Sequence, residues 1–503
     1  MVLARTRCLV LLALTSCFAV GCAGSGPRVD SAVQVAEFDP FERDRLEAAL
    51  RFLASDSLMG RRTGTPGNDT AAAFLAERFE AAGLTPVPGH ESFMQTIAFA
   101  QAGAAASLSL TVGDQTWNDG DLVLLHGEAA SLSAEAVFVG HGLDANDYDG
   151  AQGQIAVARV GTPGGGVGDA FGAAADKRAL AAEAGAVALV EVYALPLPWP
   201  RIAAFVNRDR ITIGGPSLVP HAWVHDPEGA WLAAVTEDAT WPSSLATSGV
   251  RTTPIPSSNV AGYIVGADPD LRDEVLVLVA HYDHVGAGMT NGAGATPADS
   301  IFNGARDNGM GTVALLAAAE ALAQERPRRS ILALAVTGEE EGLLGSRYYV
   351  EHPLFPLEQT VFALNTDGAG YSVTDRVAIV GLGRTSADAA ITEGVASAGL
   401  EVGDDPAPEQ GLFDRSDNVN FARAGVPTLT FSPGLTSFQD DVIARYYHNA
   451  ADEVDEAFDF AYLQRFARAY AATARLIADG DVRPTWAPGD EYADEAAALY
   501  GED

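Results

Sequence analysis

The stretch "SILALAVTGEEEGLLGS", residues 330–346, sets an unbroken apolar run against three adjacent glutamates. A short continuous apolar run reads as a strand buried on both faces, the kind found in parallel sheets covered by helices. Adjacent carboxylates repel one another, so Glu339, Glu340 and Glu341 form either a solvated acidic loop or a place where something cationic holds them. The surrounding sequence repeats the pattern. "EVLVLVA" (274–280) runs into His281, Asp283 and His284, and "TVFALN" (360–365) runs into Asp367. Between the first two runs, "NGARDNGMG" (303–311) places Asp307 just ahead of the apolar helix "GTVALLAAAEALAQ". Strands alternating with helices predict an α/β fold with a mixed, largely parallel central sheet flanked by helices.

In such sheets ligands bind at the C-terminal edge, and here three strands deliver His, Glu and Asp to that edge. A further histidine, His448, stands in "YYHNAADEVD" (446–455). His, Asp and Glu without cysteine form a nitrogen and oxygen donor set suited to zinc, and also to manganese or cobalt. Five such ligands exceed what one four-coordinate ion needs. They suit two ions about 3.5–4 Å apart with a shared carboxylate. Two divalent cations would also turn the repulsion among the glutamates into attraction.

Composition bounds the partners. The chain has 503 residues, 48% of them hydrophobic, and a net charge of −36 from 67 acidic and 31 basic residues. Lys177 is its single lysine. A field of that sign repels nucleic acid and anionic lipid. The acids are scattered, as on a surface adapted to salt, so they mark no site. Arg5 and Arg7 precede the short apolar stretch "CLVLLALTSCFAV" (8–20), which has signal-peptide proportions. Small residues ahead of Cys22 resemble a lipoprotein cleavage box. Residues 1–22 are therefore expected to be a leader, with a lipid anchor at Cys22 as the sole membrane attachment. The expected location is the bacterial cell envelope or outside the cell. All three cysteines (Cys8, Cys17 and Cys22) lie in this leader, which leaves the body without thiol chemistry.

Beyond a linker at 23–40, an amphipathic helix at 41–58, the turn "GRRTGTPGN" (60–68) and a second helix, "DTAAAFLAERFEAAG", with Asn68/Asp69 as its cap and Gly83 as its stop, open the first part of the main domain, 41–129. Short strands, Gly-rich loops and an alanine-rich helix at 130–250 read as a small β-rich insert. The main domain resumes at 251–480, and 481–503 reads as a peripheral acidic tail.

The motifs "AHYDHVG", "GARDNGMG", "TGEEEGLLGS", "NTDGAG" and "YHNAADEVD", in this order, resemble the co-catalytic di-zinc exopeptidases. That family includes secreted bacterial aminopeptidases, glutamate carboxypeptidase, glutaminyl cyclase and a non-catalytic receptor. The insert is similar to the protease-associated domain of its members. The resemblance implies that His281 and Asp367 hold one zinc and that Glu340 and His448 hold the other. Asp307 would bridge them, with a cis peptide to Asn308. It implies further that Asp283 orients His281, and that Glu339 takes a proton from a metal-bridging water and passes it to the leaving amine. Glu341 is expected to face solvent, and His284 to be a structural neighbour rather than a ligand. Arg306, Gly309-Met310 and Asn418 depart from the family pattern without removing a ligand. The expected activity is release of N-terminal residues from peptides with a free N-terminus. The alternatives are a carboxypeptidase for acidic dipeptides, a glutaminyl cyclase or a binding protein.

Overall fold

The computed structural model describes residues 38–501 apart from 166, 196, 208, 214–218, 227–230, 232–238 and 290. The leader and Cys22 lie outside the described residues. Residues from Pro40 onward form one compact unit built on two sheets.

Among the described residues the first sheet has nine strands. Its centre is the parallel set Ser330–Val336, Val275–His281, Thr360–Thr366 and Thr428–Pro433, in that spatial order. Every residue of the first three is buried, which is what their continuous apolar runs imply. Helices Met310–Gln324 and Phe460–Asp479 pack together in the main core, the first buried almost all round. On one flank Arg376–Val380 runs antiparallel to Thr428–Pro433 and carries Glu401–Gly403 as its parallel neighbour. On the other, the long strand Arg251–Ile264 pairs antiparallel with both Ser330–Val336 and Met94–Gly103. The α/β expectation holds, with a sheet that is parallel at its centre and mixed at its flanks.

The second sheet has eight strands. It differs from the expected insert at one boundary: Leu108–Val112, Gln115–Asn118 and Leu122–His126 belong to it rather than to the main domain. Leu108–Val112 pairs with Thr240–Thr247, and Leu122–His126 pairs with His221–His225. Alternation along a strand shows which face is buried but not which sheet the strand joins. The insert also sends one strand back. Arg210–Ile213 pairs antiparallel with Met94–Gly103 and forms the outer edge of the first sheet.

Two local expectations change. The helix after "GRRTG" begins at Pro66, with the Thr65 hydroxyl accepting from the Asn68 amide at 3.4 Å, one turn earlier than the Asn68/Asp69 cap suggests. The acidic tail is also not peripheral. Trp486 is buried and donates to Gly425 O at 3.1 Å, and Arg384 holds Asp490 through bonds of 2.8 and 3.0 Å. Among the described residues no helix is long and apolar enough to cross a membrane.

Candidate metal centre

Three neighbouring strands end side by side. His281 closes the central strand, Asp367 follows Thr360–Thr366, and Glu339 and Glu340 sit on the turn after Ser330–Val336. Asp307 lies on the entry to helix Met310–Gln324, where the Asp307–Asn308 peptide is cis. His448 comes from a loop and has a left-handed backbone, φ 46°, with its carbonyl accepting from the Ala293 amide at 2.8 Å.

The structure brings these six residues together. His281 Nε2 lies 3.1 Å from Asp367 Oδ1 and 3.5 Å from Asp307 Oδ1. His448 Nε2 lies 3.4 Å from Asp307 Oδ2 and 2.8 Å from Glu340 Oε2. Asp307 therefore turns one oxygen to each histidine. Zinc with ligand bonds of about 2.0–2.1 Å separates tetrahedral donors by about 3.3 Å. The four separations bracket that figure, so the donor set fits zinc. The oxygens of Glu339 and Asp367 and a ring nitrogen of His281 also fall within 4.8 Å of one another, as do donors from His284, Asp307 and Glu340.

Asp283 lies beneath the centre. Its oxygens accept from the amides of Glu339 and Glu340 at 3.3 and 3.4 Å and from the Thr63 hydroxyl at 3.2 Å. Its Oδ1 is 3.8 Å from His281 Nδ1, beyond a hydrogen bond, and His281 Nδ1 has no partner among the described residues. As it stands, Asp283 holds the glutamate turn more firmly than the imidazole.

Electrostatics sort the carboxylates. Burial pushes Glu339 well above its usual range, with Asp367 and Glu340 adding to the rise against His281. Burial would also raise Glu340 and Asp367, but His448 and His284 outweigh it for the first and His281 and Ser416 for the second, so both are held low. Burial lifts Asp283 to about 6. Desolvation works against the charge on His448, yet Glu340 and Asp307 carry its pKa up to about 11, and Asp367 and Glu339 likewise raise His281.

Several contributors carried no role in the sequence reading. Arg61 is buried and donates to Tyr282 O and Gly304 O at 2.7 Å each, and to Asn303 O, fastening the chain ahead of Asp307. The Ser416 hydroxyl donates to Asp367 Oδ2 at 2.6 Å. Asp452 accepts from the Asp307 amide at 3.1 Å and from the Arg306 side chain at 3.2 Å, tying the His448 loop to the Asp307 turn. His284 Nδ1 sits 2.7 Å from Glu340 Oε1 and orients that carboxylate. Glu341 does not face solvent: its side chain is 8% exposed and ion-paired to Arg62 at 2.7 Å. Arg61, Thr63 and Ser416 belong to motifs visible in the sequence, "GRRTG" and "DRSDN"; their roles depend on neighbours more than a hundred positions away, apart from the 49 separating Ser416 and Asp367.

The His, Asp and Glu donors on the C-terminal edge of this helix-covered parallel sheet form a set that could hold metal ions. Residues 259–474 match the model of peptidase family M28, which bears out the resemblance to the di-zinc exopeptidases. The fold is similar to that of an aminopeptidase from Aneurinibacillus sp. strain AM-1. The TM-score is 0.50 at 18% identity, over 87% of this chain and 94% of that one. Among curated proteins, a vacuolar membrane protease of Lachancea thermotolerans is 33% identical over 153 residues, 30% of this chain and 14% of the relative. A vacuolar membrane protease of Saccharomyces cerevisiae is 35% identical over 120 residues, 24% and 11% of the two chains. The chain thus spans a small fraction of these relatives. They also correct the expected location: the named relatives are vacuolar membrane proteases of yeasts, not lipoproteins of a bacterial envelope.

Proposed function

We propose that this protein is a di-zinc aminopeptidase. His281 and Asp367 would hold one ion, Glu340 and His448 the other, and Asp307 both, with Asp283 fixing the glutamate turn. The observation that carries this reading is the division of the Asp307 carboxylate, one oxygen within 3.5 Å of each histidine. When bound, the ions would supply Lewis acidity, polarising the scissile carbonyl and lowering the pKa of water to about 7.

The residues of the chain do the rest. Glu339 has no partner role among the paired ligands, and its raised pKa suits a group that accepts a proton from the attacking water and delivers it to the departing amine. The surplus of carboxylates favours a substrate ammonium, which fits cleavage beside a free N-terminus. Next to the centre the cleft is walled by Val380, Leu412, Leu435 and Phe438, which suits an apolar side chain on the residue released. The insert is read as a protease-associated domain, on the strength of its sequence similarity and its separate eight-stranded sheet.

Arg415 supports a second reading. It lines the same cleft, over the Phe438 ring and 3.3 Å from the Tyr447 hydroxyl, where a guanidinium could grip a substrate carboxylate. Aminoacyl p-nitroanilides and N-acylated acidic dipeptides, assayed on one preparation, separate the two. Turnover of the anilides is expected. It should vanish with a chelator, return with zinc, and fall about a thousandfold in Glu339→Gln with metal content intact. Turnover of the dipeptides alone would make the enzyme a carboxypeptidase.

A further inference from the structure

We propose that Glu341, the third glutamate of the run, is a positioning residue that locks the inserted domain to the turn carrying Glu339 and Glu340. This rests on the peptidase reading for its effect on rate, but not for the lock itself. Each oxygen of the carboxylate has its own partner. Oε1 accepts from Arg62 Nε at 2.7 Å, and Oε2 accepts from the backbone N–H of Ile211 at 3.1 Å. Ile211 belongs to Arg210–Ile213, the strand that the insert sends back to the edge of the first sheet. An edge strand leaves outward N–H groups without ladder partners. Here one of them is taken by the catalytic turn.

The connection continues on both sides. Arg210 donates to Leu124 O at 3.3 Å and to Leu125 O, so the returning strand is tied to the insert's own sheet. Ile211 is buried with Ile97, Phe99 and Leu344, and Leu344 opens the helix that follows the glutamate turn. The turn is closed by its own backbone, the Gly342 and Leu343 amides donating to Glu339 O at 2.9 Å each and the Leu344 amide to Gly338 O at 2.8 Å. Gly338 and Gly342 flank the glutamates in left-handed backbone conformations, φ 80° and 105°. Asp283 fixes it from below through the amides of Glu339 and Glu340. Glu341 fixes it from the side, and that hold runs through the insert. The docked insert thus adds to the hold that Asp283 already has on a proton-transfer group and a metal ligand, and small displacements at such sites are costly in rate.

An ion pair with no positioning role contributes modestly to stability and nothing to the reaction. The test must therefore read positioning, not stability. Glutamine at 341 can accept from one partner only, because its amide presents a donor to the other donor. The full chain carrying Glu341→Gln is compared with wild type by hydrogen-exchange mass spectrometry and by steady-state kinetics on an anilide substrate. The expected result is faster exchange in both 210–213 and 338–344. With it, kcat falls about tenfold while KM stays within about twofold and metal content is unchanged. Exchange that rises in one segment alone, or a kcat per metal-loaded molecule equal to wild type, overturns the proposal. Should Glu341→Gln not fold, Glu341→Asp, one methylene shorter, must show the same paired changes in smaller measure, and their absence is equally fatal. If the wild type hydrolyses no peptide substrate, the functional reading falls, and the exchange data alone decide whether the lock exists.

Discussion

Two clusters in this molecule bury histidine and carboxylate together, and they solve the problem differently. In the insert, Lys177 Nζ donates to Glu191 Oε2 at 2.7 Å and to the carbonyls of Arg159 and Gly161 at 2.8 Å each. Glu191 Oε1 accepts from His221 Nε2 at 2.7 Å and from Trp223 Nε1 at 2.9 Å. Burial would raise Glu191, but His221 and Lys177 outweigh it and hold it low. The charge closes on itself. At the edge of the first sheet, Asp283, Asp307, Glu339, Glu340 and Asp367 crowd around His281, His284 and His448, and burial drives Glu339 high, with Asp367 and Glu340 adding to the rise against His281. The first arrangement pairs its carboxylate with cations and donors of the protein; the second gathers its donors as a metal site would. That difference distinguishes a buried polar network that supports a fold from one that serves chemistry.

Removing Glu191 gives the largest effect on stability. With its carboxylate gone, Lys177 is left fully buried beside two carbonyls, and breaking a buried pair in this way costs about 3–5 kcal/mol. Glu191→Ala should lower the urea midpoint accordingly, while zinc content and kcat per folded molecule stay at wild-type values. Zinc loss from this variant under native conditions would mean that the two clusters are not independent.

The legibility of the two sites differs for a related reason. His281, Glu339 and Asp367 can be found from sequence because each follows an apolar run long enough to be a buried parallel strand, and parallel strands end on one edge. The Glu191 cluster gives no such signal. Its members come from a helix and two strands in separate runs, and His221 looks like any other isolated histidine until the sheet closes over it. Glu341 reads as solvent-facing for the same reason: its partners Arg62 and Ile211 lie 279 and 130 positions away. The tail looked peripheral because its acids are conspicuous and its one anchoring tryptophan is not. Ligand sets at strand ends are local patterns, whereas second partners are products of topology.

The next contrast concerns protons. Without metal, Glu340 and Asp307 carry the pKa of His448 up to about 11 and Asp367 and Glu339 raise that of His281, so both rings favour the protonated form. Zinc binds the neutral ring, so loading the centre must release these protons. Apparent zinc affinity should therefore rise with pH by about tenfold per unit for each proton released, approaching about a hundredfold for two. Competition with a chromogenic chelator at pH 6.5, 7.5 and 8.5 measures the slope. A flat profile would show that neither imidazolium is present before binding. The insert cluster provides no such slope, since its charges already have partners.

The smallest effect is the most revealing of the difference. In the metal-free protein Glu339 has its pKa raised, so the folded state keeps a proton that the unfolded chain gives up near the ordinary glutamate value of about 4.3. Stability contributed by this group is therefore present below that pH and is lost as pH rises toward the folded-state pKa. Glu339→Gln removes the titration while keeping the shape. Metal-free Glu339→Gln should then exceed metal-free wild type in stability at pH 7 by about 0.5–1 kcal/mol and match it near pH 4. Equilibrium denaturation of the two chelated proteins at both pH values makes the comparison. With zinc bound the advantage should disappear, because the cations supply the positive charge that the protein withholds. A variant less stable than wild type at pH 7 without metal would place Glu339 among the satisfied carboxylates, alongside Glu191, and remove the strain on which the contrast between the two clusters rests.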